Sequence, residues 1–270
     1  MTTTAAPARR RVFAFARRAW IQQGTITVWL AALVGGLFGV LVFLGTGGVN
    51  TLTSMPDLIP SDPAGLVAVS DGSGEFLPMT SYLLLMTPVI LGMLVAIVAT
   101  LTLPGVVADD ITGGGIEALL AGPIPRRSLF TAYLGAALVL TSAAWVVAML
   151  VFTLASFVTA TIIGASISMS WVYGIALLII PFSMGLWSAT ATLFGALLYP
   201  SSLDTKAGLN GGPIRLVAVL PALIAVPSVL LMPEWVLPAL GLVLVVTAVA
   251  SAILIQLTAR GFRSTRVLGN

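Results

Sequence analysis

The chain has 270 residues, of which 59% are hydrophobic and only 8% charged, with a formal net charge of +3. An ordinary soluble domain carries about 25% charged residues, and a soluble fold of this length has no interior large enough for so much apolar surface. The absence of Cys and His excludes disulfides, thiolate nucleophiles and Cys- or His-based metal sites, and the small charge does not suit a nucleic-acid partner.

An all-α integral membrane protein is therefore expected, a single transmembrane domain over residues 1–270. A helix that crosses the hydrocarbon core needs about 20 mostly apolar residues. Six stretches meet that length: 26–44, 82–107, 129–157, 171–198, 214–231 and 235–257. Apart from Arg215 at the edge of the fifth, none contains Asp, Glu, Lys or Arg.

Residues 9–21 precede the first span and pattern as a basic amphipathic helix. Val12, Ala16 and Ala19, with Phe13 and Trp20 alongside, recur near helical spacing. Arg10 and Arg17, like Arg11 and Arg18, stand seven apart on the other side. Such a helix lies in the membrane interface, its apolar face at the acyl boundary and its Arg side chains toward headgroups. Arg10, Arg11, Arg17, Arg18 and Trp20 are the expected lipid contacts. The first span is too long for a signal-peptide core and no A-x-A cleavage pattern follows it, so it reads as retained. Gly35 and Gly39 form a small-xxx-small step within it, which allows close helix approach.

Residues 45–81 hold Asp57, Asp62, Asp71 and Glu75 and no basic residue. Their Pro, Gly and Ser content predicts an irregular acidic loop, with a short helix at most. After the second span comes the segment ADDITGGGIEALLAGPIPRRS at residues 108–128. Three glycines give a flexible lead-in, residues 116–121 form a short helix, and Pro123 and Pro125 stop it. Ile116, Leu119 and Leu120 fall at i, i+3 and i+4 and make one apolar face. No span covers that face, so it predicts a partner surface. Ser128 is the expected cap of the third span. Residues 158–170 and the tight 232–234 connection, which includes Pro233 and Glu234, complete the outer segments. Pro88, Pro104, Pro181, Pro221, Pro227 and Pro238 lie in or near spans, where packed neighbours must satisfy the carbonyls they free.

The twelve basic residues fall in four clusters: residues 9–18, Arg126 with Arg127, Lys206 with Arg215, and Arg260, Arg263 and Arg266. Each pair of consecutive clusters brackets two crossings, so all four fit on one side. Cytoplasmic loops accumulate Lys and Arg, which predicts both termini inside.

At residues 108–128 the chain resembles the type-2 ABC transporter membrane subunits, the permeases of many bacterial drug, antibiotic and lipid exporters. The matching residues are the acidic pair Asp109 and Asp110; Gly115, Ile116, Glu117, Leu119 and Leu120 of a Gly–aliphatic–Glu–x–Leu–Leu core; and Pro123, Ile124 and Arg126 leading into the third span. The resemblance implies that residues 109–127 are a coupling loop docking into an ATPase subunit. It further implies two ABC ATPase subunits that carry ATP and Mg, and a second permease subunit, identical or different. No cofactor is expected on this chain itself. The implied location is the bacterial cytoplasmic membrane, and the implied task is efflux of a hydrophobic or amphiphilic compound. In that family the chain also tends to break into re-entrant helices before the last span, here around Pro233.

Other chemistries are narrowed by what the sequence lacks. A Walker A loop needs Lys followed by Ser or Thr, and the only Lys, Lys206, precedes Ala207. ATP hydrolysis would therefore belong to a partner chain, and this chain is not expected to be an enzyme. Ion-coupled carriers place titratable groups inside the membrane. The spans here offer only neutral polar residues such as Thr141, Ser142, Ser183, Ser188, Thr190, Thr192 and Gln256. A secondary carrier coordinating its ion through backbone, or a non-transport membrane scaffold, is the alternative reading.

Overall fold

In lipid an apolar run has only its own backbone to satisfy its amides and carbonyls, so each long run folds as a helix. The computed structural model describes residues 5–44, 65–112, 126–198, 216–221, 223–225 and 236–261. In chain order these form α1 (Ala5–Ala19), a π-helical turn (Trp20–Gly24), α2 (Thr25–Leu44), β1 (Val67–Ser70), α3 (Pro78–Thr112), α4 (Arg126–Ile162), β2 (Ser166–Met169) and α5 (Trp171–Leu198). The short α6 (Leu216–Ala225) and the long α7 (Val236–Gly261) follow. Among the described residues, five stretches are long and apolar enough to cross a membrane: Val12–Leu44, Pro78–Thr102, Leu129–Ile162, Trp171–Gly195 and Pro238–Leu257. The chain is thus a multi-pass, all-α membrane protein with one small β ribbon. Within the sixth expected crossing, residues 214–231, the described part is α6, too short to cross alone when about 20 residues are required. Residues 226–235, including Pro227, Pro233 and Glu234, lie outside the described residues.

The packing follows from where side chains are small. α2 runs parallel to α4, and a Cβ on Gly35 would come within 2.4 Å of the Ala148 carbonyl oxygen. One on Gly39 would meet the Phe152 carbonyl oxygen at 2.8 Å. The small-xxx-small step is therefore the α2–α4 contact itself, with Phe38 stacked on Phe152 at 5.7 Å beside it. α3 and α5 form a second parallel pair, joined where Gly92 faces Met184 and Gly185 faces Val95 and Thr141. α3 is the central helix: 72% of its apolar window is buried against 17% for α7, which leaves α7 at the periphery.

One end of the bundle is closed by β1 and β2, which pair antiparallel with Val67 opposite Met169 and Ser70 opposite Ser166. The ribbon corrects the expectation of irregular loop or short helix: of the described part of residues 45–81, 65–77 form a strand and a tight turn, and 78–81 already belong to the next long helix. Along Val67-Ala68-Val69-Ser70 burial alternates, with Val67 and Val69 buried, as a half-buried strand requires. Its partner lies about a hundred positions away, so no local pattern announces the pairing. The turn after β1 is fixed by Asp71, whose Oδ1 accepts from the amides of Ser73 and Glu75 at 2.9 and 2.8 Å and from the Ser73 hydroxyl at 2.6 Å. Gly74 takes φ +86° there, a conformation that other residues rarely adopt. These bonds, led by the Ser73 hydroxyl, hold the Asp71 carboxyl below its ordinary pKa of 3.8.

The helices overrun the expected span limits. α3 begins at Pro78 and continues to Thr112, and α4 extends from Arg126 to Ile162. Ser128 is therefore inside the first turn of α4 rather than its cap. The ends of α3 and α4 at Thr112 and Arg126 lie away from the ribbon, because α3 leaves the ribbon and α4 returns to it.

Candidate functional site

The residues expected to couple to a partner divide by position. Asp109 and Asp110 occupy the last turn of α3, and Arg126 is the first residue of α4. Gly115, Ile116, Glu117, Leu119, Leu120 and Pro123 lie outside the described residues. The apolar run of α3 continues through Val106, Val107 and Ala108, and the helix goes on through Asp109 and Asp110 to Thr112, about 6 Å further at ~1.5 Å per residue. Asp109 and Asp110 thus stand on helical backbone just past the apolar run of α3.

The N-terminal helix lies at this same end. Val12 meets Gly135 of α4, and Phe15 sits edge-on to Tyr133 at 5.2 Å. Ala16 and Ala19 are buried, whereas Phe13 is 71% exposed and Trp20 42%. This revises the expected single apolar face: Val12, Phe15, Ala16 and Ala19 pack on protein, while Phe13, Trp20 and Ile21 point outward. Helical spacing alone merges the two, because a helix held between protein and lipid is apolar on two sides. Arg10, Arg17 and Arg18 are exposed; the Arg11 side chain is outside the description. Rather than standing apart from the first span, α1 continues into α2 through the π-helical turn, where Gly24 lies against the Trp20 ring.

Three of the neutral hydroxyls in the spans are spent on backbone carbonyls. Ser188 donates to the Ala96 carbonyl at 2.9 Å and Ser183 to the Ile180 carbonyl at 3.0 Å. Thr190 bonds the Trp187 carbonyl at 2.9 Å. Thr141 and Thr192 are buried with no partner for their hydroxyls. None of these five is exposed within the chain.

Three aromatic donors that the sequence reading passed over hold the proline sites. Pro88 has no amide for the Leu84 carbonyl, and the Tyr173 hydroxyl donates to that carbonyl across the α3–α5 contact. Pro221 likewise frees the Val217 carbonyl, which accepts from Trp187 Nε1 at 3.1 Å. At Pro181 the Trp145 Nε1 donates at 3.1 Å to the carbonyl of Leu178, one residue beyond the Leu177 carbonyl that Pro181 leaves without its helical donor. The usable signal was the pairing of buried prolines with Tyr and Trp, the strong side-chain donors in otherwise aliphatic spans.

Beside the Pro221 break a cavity of about 200 Å³ opens between α5, α6 and α7. Trp187, Pro221 and Ile224 wall one side, and Val243, Val246 and Ala250 the other. Its one hydroxyl, on Thr247, already bonds the Val243 carbonyl at 2.7 Å and Ser183 Oγ at 3.2 Å. Among the described residues no group of three His, Cys, Asp or Glu side chains could hold a metal ion.

The architecture and these sites define a class, the multi-pass α-helical membrane proteins. Compared with protein-family models, curated proteins and solved structures, the chain finds no match in any of the three.

Proposed function

We propose that the chain is the membrane-spanning permease subunit of an ATP-driven ABC exporter, moving a hydrophobic or amphiphilic compound out across the bacterial cytoplasmic membrane. The observation that carries this reading is the α3–α4 unit. Its two helices carry, at one end, Asp109 and Asp110 in the last turn of α3 and Arg126 as the first residue of α4. Between them lies the apolar Ile116, Leu119 and Leu120 pattern. Charge distribution supports the orientation: the Arg residues of α1 and α4 gather at that end, and Asp71 and Glu75 at the ribbon end, as basic-inside loops require. That end is then cytoplasmic, a sixth crossing passes through residues 214–231, and both termini are inside. ATP and Mg belong to two partner ATPase subunits, and a second permease subunit completes the path. Closure of the ATPases pushes on residues 116–121, and α3 and α4, packed along their lengths into the bundle, carry the movement into the membrane.

Substitution Leu119→Asp or Leu120→Asp places a charge on the apolar docking face. Affinity purification in mild detergent should then recover the membrane subunit without its ATPase, while the parent chain brings the ATPase with it. Undiminished co-purification of either variant overturns the docking assignment.

A further inference from the structure

The cavity beside Pro221 is explained neither by coupling nor by charge. Its walls are apolar, and the Thr247 hydroxyl is already bonded within the protein, so no lining side-chain hydroxyl asks for a polar ligand. Its lining leaves a water no free hydroxyl to bind, and at about 200 Å³ the cleft has room for apolar matter, since an enclosed apolar cavity of about 150 Å³ takes up benzene. An empty void of that size forfeits the dispersion contacts of its lining.

Depth and access identify what fills it. The apolar window of α7 spans Pro238–Leu257, so Thr247 sits near its middle and the cavity lies at mid-hydrocarbon depth. Headgroups are out of reach there. The mouth is framed by Leu220, Ile224, Leu242 and Val246, all exposed on the chain surface. It is continuous with the outward apolar stripe Val245, Val249 and Ile253 of α7. From Leu242 to Ala250 the cleft runs about 12 Å along α7 at ~1.5 Å per residue, a length and shape suited to a linear hydrocarbon chain.

We propose that this cleft binds one acyl chain of a bilayer phospholipid, inserted laterally against Trp187 and the Pro221 break. The site goes beyond the exporter reading and needs only that the chain span a bilayer. An acyl chain there replaces the missing packing around a helix whose backbone is interrupted at Pro221. It also covers the indole that caps the freed Val217 carbonyl.

Native mass spectrometry of the detergent-purified chain tests it. The parent protein should retain one phospholipid through delipidation, and Ala250→Phe, which fills the cleft, should lose it. Val246→Ala, which widens the cleft, should keep it, as should Ala252→Phe on the opposite side of α7. Equal retention in Ala250→Phe overturns the proposal, as does loss in Ala252→Phe. So does displacement of the lipid by the water-soluble glycerophosphoryl headgroup, or recovery of a non-lipid compound in its place. A second measurement uses the unaltered chain in vesicles whose phospholipids carry bromine at defined acyl carbons. The emission lost on Trp187→Phe should be quenched most by bromine near the chain terminus. Quenching that is greatest near the headgroup, or absent, overturns the assignment.

Discussion

Tyr173 is buried on α5 and its hydroxyl donates to the Leu84 carbonyl that Pro88 leaves open. A buried carbonyl without a donor costs about 1–3 kcal/mol, and in lipid no water repairs it. Tyr173→Phe should therefore lower stability by about that amount, measured as a shift in unfolding midpoint in detergent. Pro88→Ala restores the amide at position 88, and the same Tyr173→Phe substitution in that background should cost distinctly less. A cycle showing equal losses in both backgrounds would separate the hydroxyl from the proline. That side chains would have to serve these carbonyls was legible in the sequence, since each proline announces a freed carbonyl. Which side chain answers was not: Tyr173, Trp145 and Trp187 are far from their acceptors along the chain, and helix pairing selects them.

Among elements, the α2–α4 contact depends on backbone approach. A side chain at Gly35 would overlap the Ala148 carbonyl, and forcing extra atoms into packed helices costs about 1–3 kcal/mol. Gly35→Val should lower the thermal midpoint clearly, whereas Gly241→Ala, with nothing within 4 Å of the added atom, should be neutral or slightly stabilising. The ribbon turn makes a pH-dependent contribution. The Asp71 carboxyl is held below its ordinary 3.8 in the fold, so its stabilisation is full at neutral pH. That stabilisation is lost as pH falls below 3.8 through the lowered folded value. Hydrogen exchange at the Ser73 and Glu75 amides should accelerate relative to other ribbon amides as pH falls below 3.8, and not above it. In Asp71→Asn that acceleration should vanish. Helix positions were legible because lipid makes apolar length decisive. The ends of α3 and α4 were not, because polar residues such as Asp109 and Asp110 continue a helix outside the lipid as readily as they begin a loop. The strands escaped because their pairing is non-local and each is only four residues long.

At the scale of the whole molecule, the two chemical ends are the ribbon with Asp71 and Glu75, and the opposite end with the Arg residues of α1 and α4. Sequence made that division visible through charge alone, while the ribbon that ties the segment before α3 to the segment after α4 required the fold. One experiment reads both. Ser70 and Ser166 face each other across the ribbon with their hydroxyl oxygens 3.3 Å apart, and directly opposed antiparallel positions have the Cα and Cβ separations a disulfide needs. The parent chain has no Cys, so every thiol signal belongs to the introduced pair. With the ribbon outside the cytoplasmic membrane, Ser70→Cys combined with Ser166→Cys should oxidise in the cell and resist maleimide until reductant is added. A cytoplasmic ribbon would keep both thiols reduced. Diamide added to the purified protein separates the two questions. Closure only after diamide keeps the β1–β2 register and reverses the membrane orientation; failure to close even then removes the ribbon pairing itself.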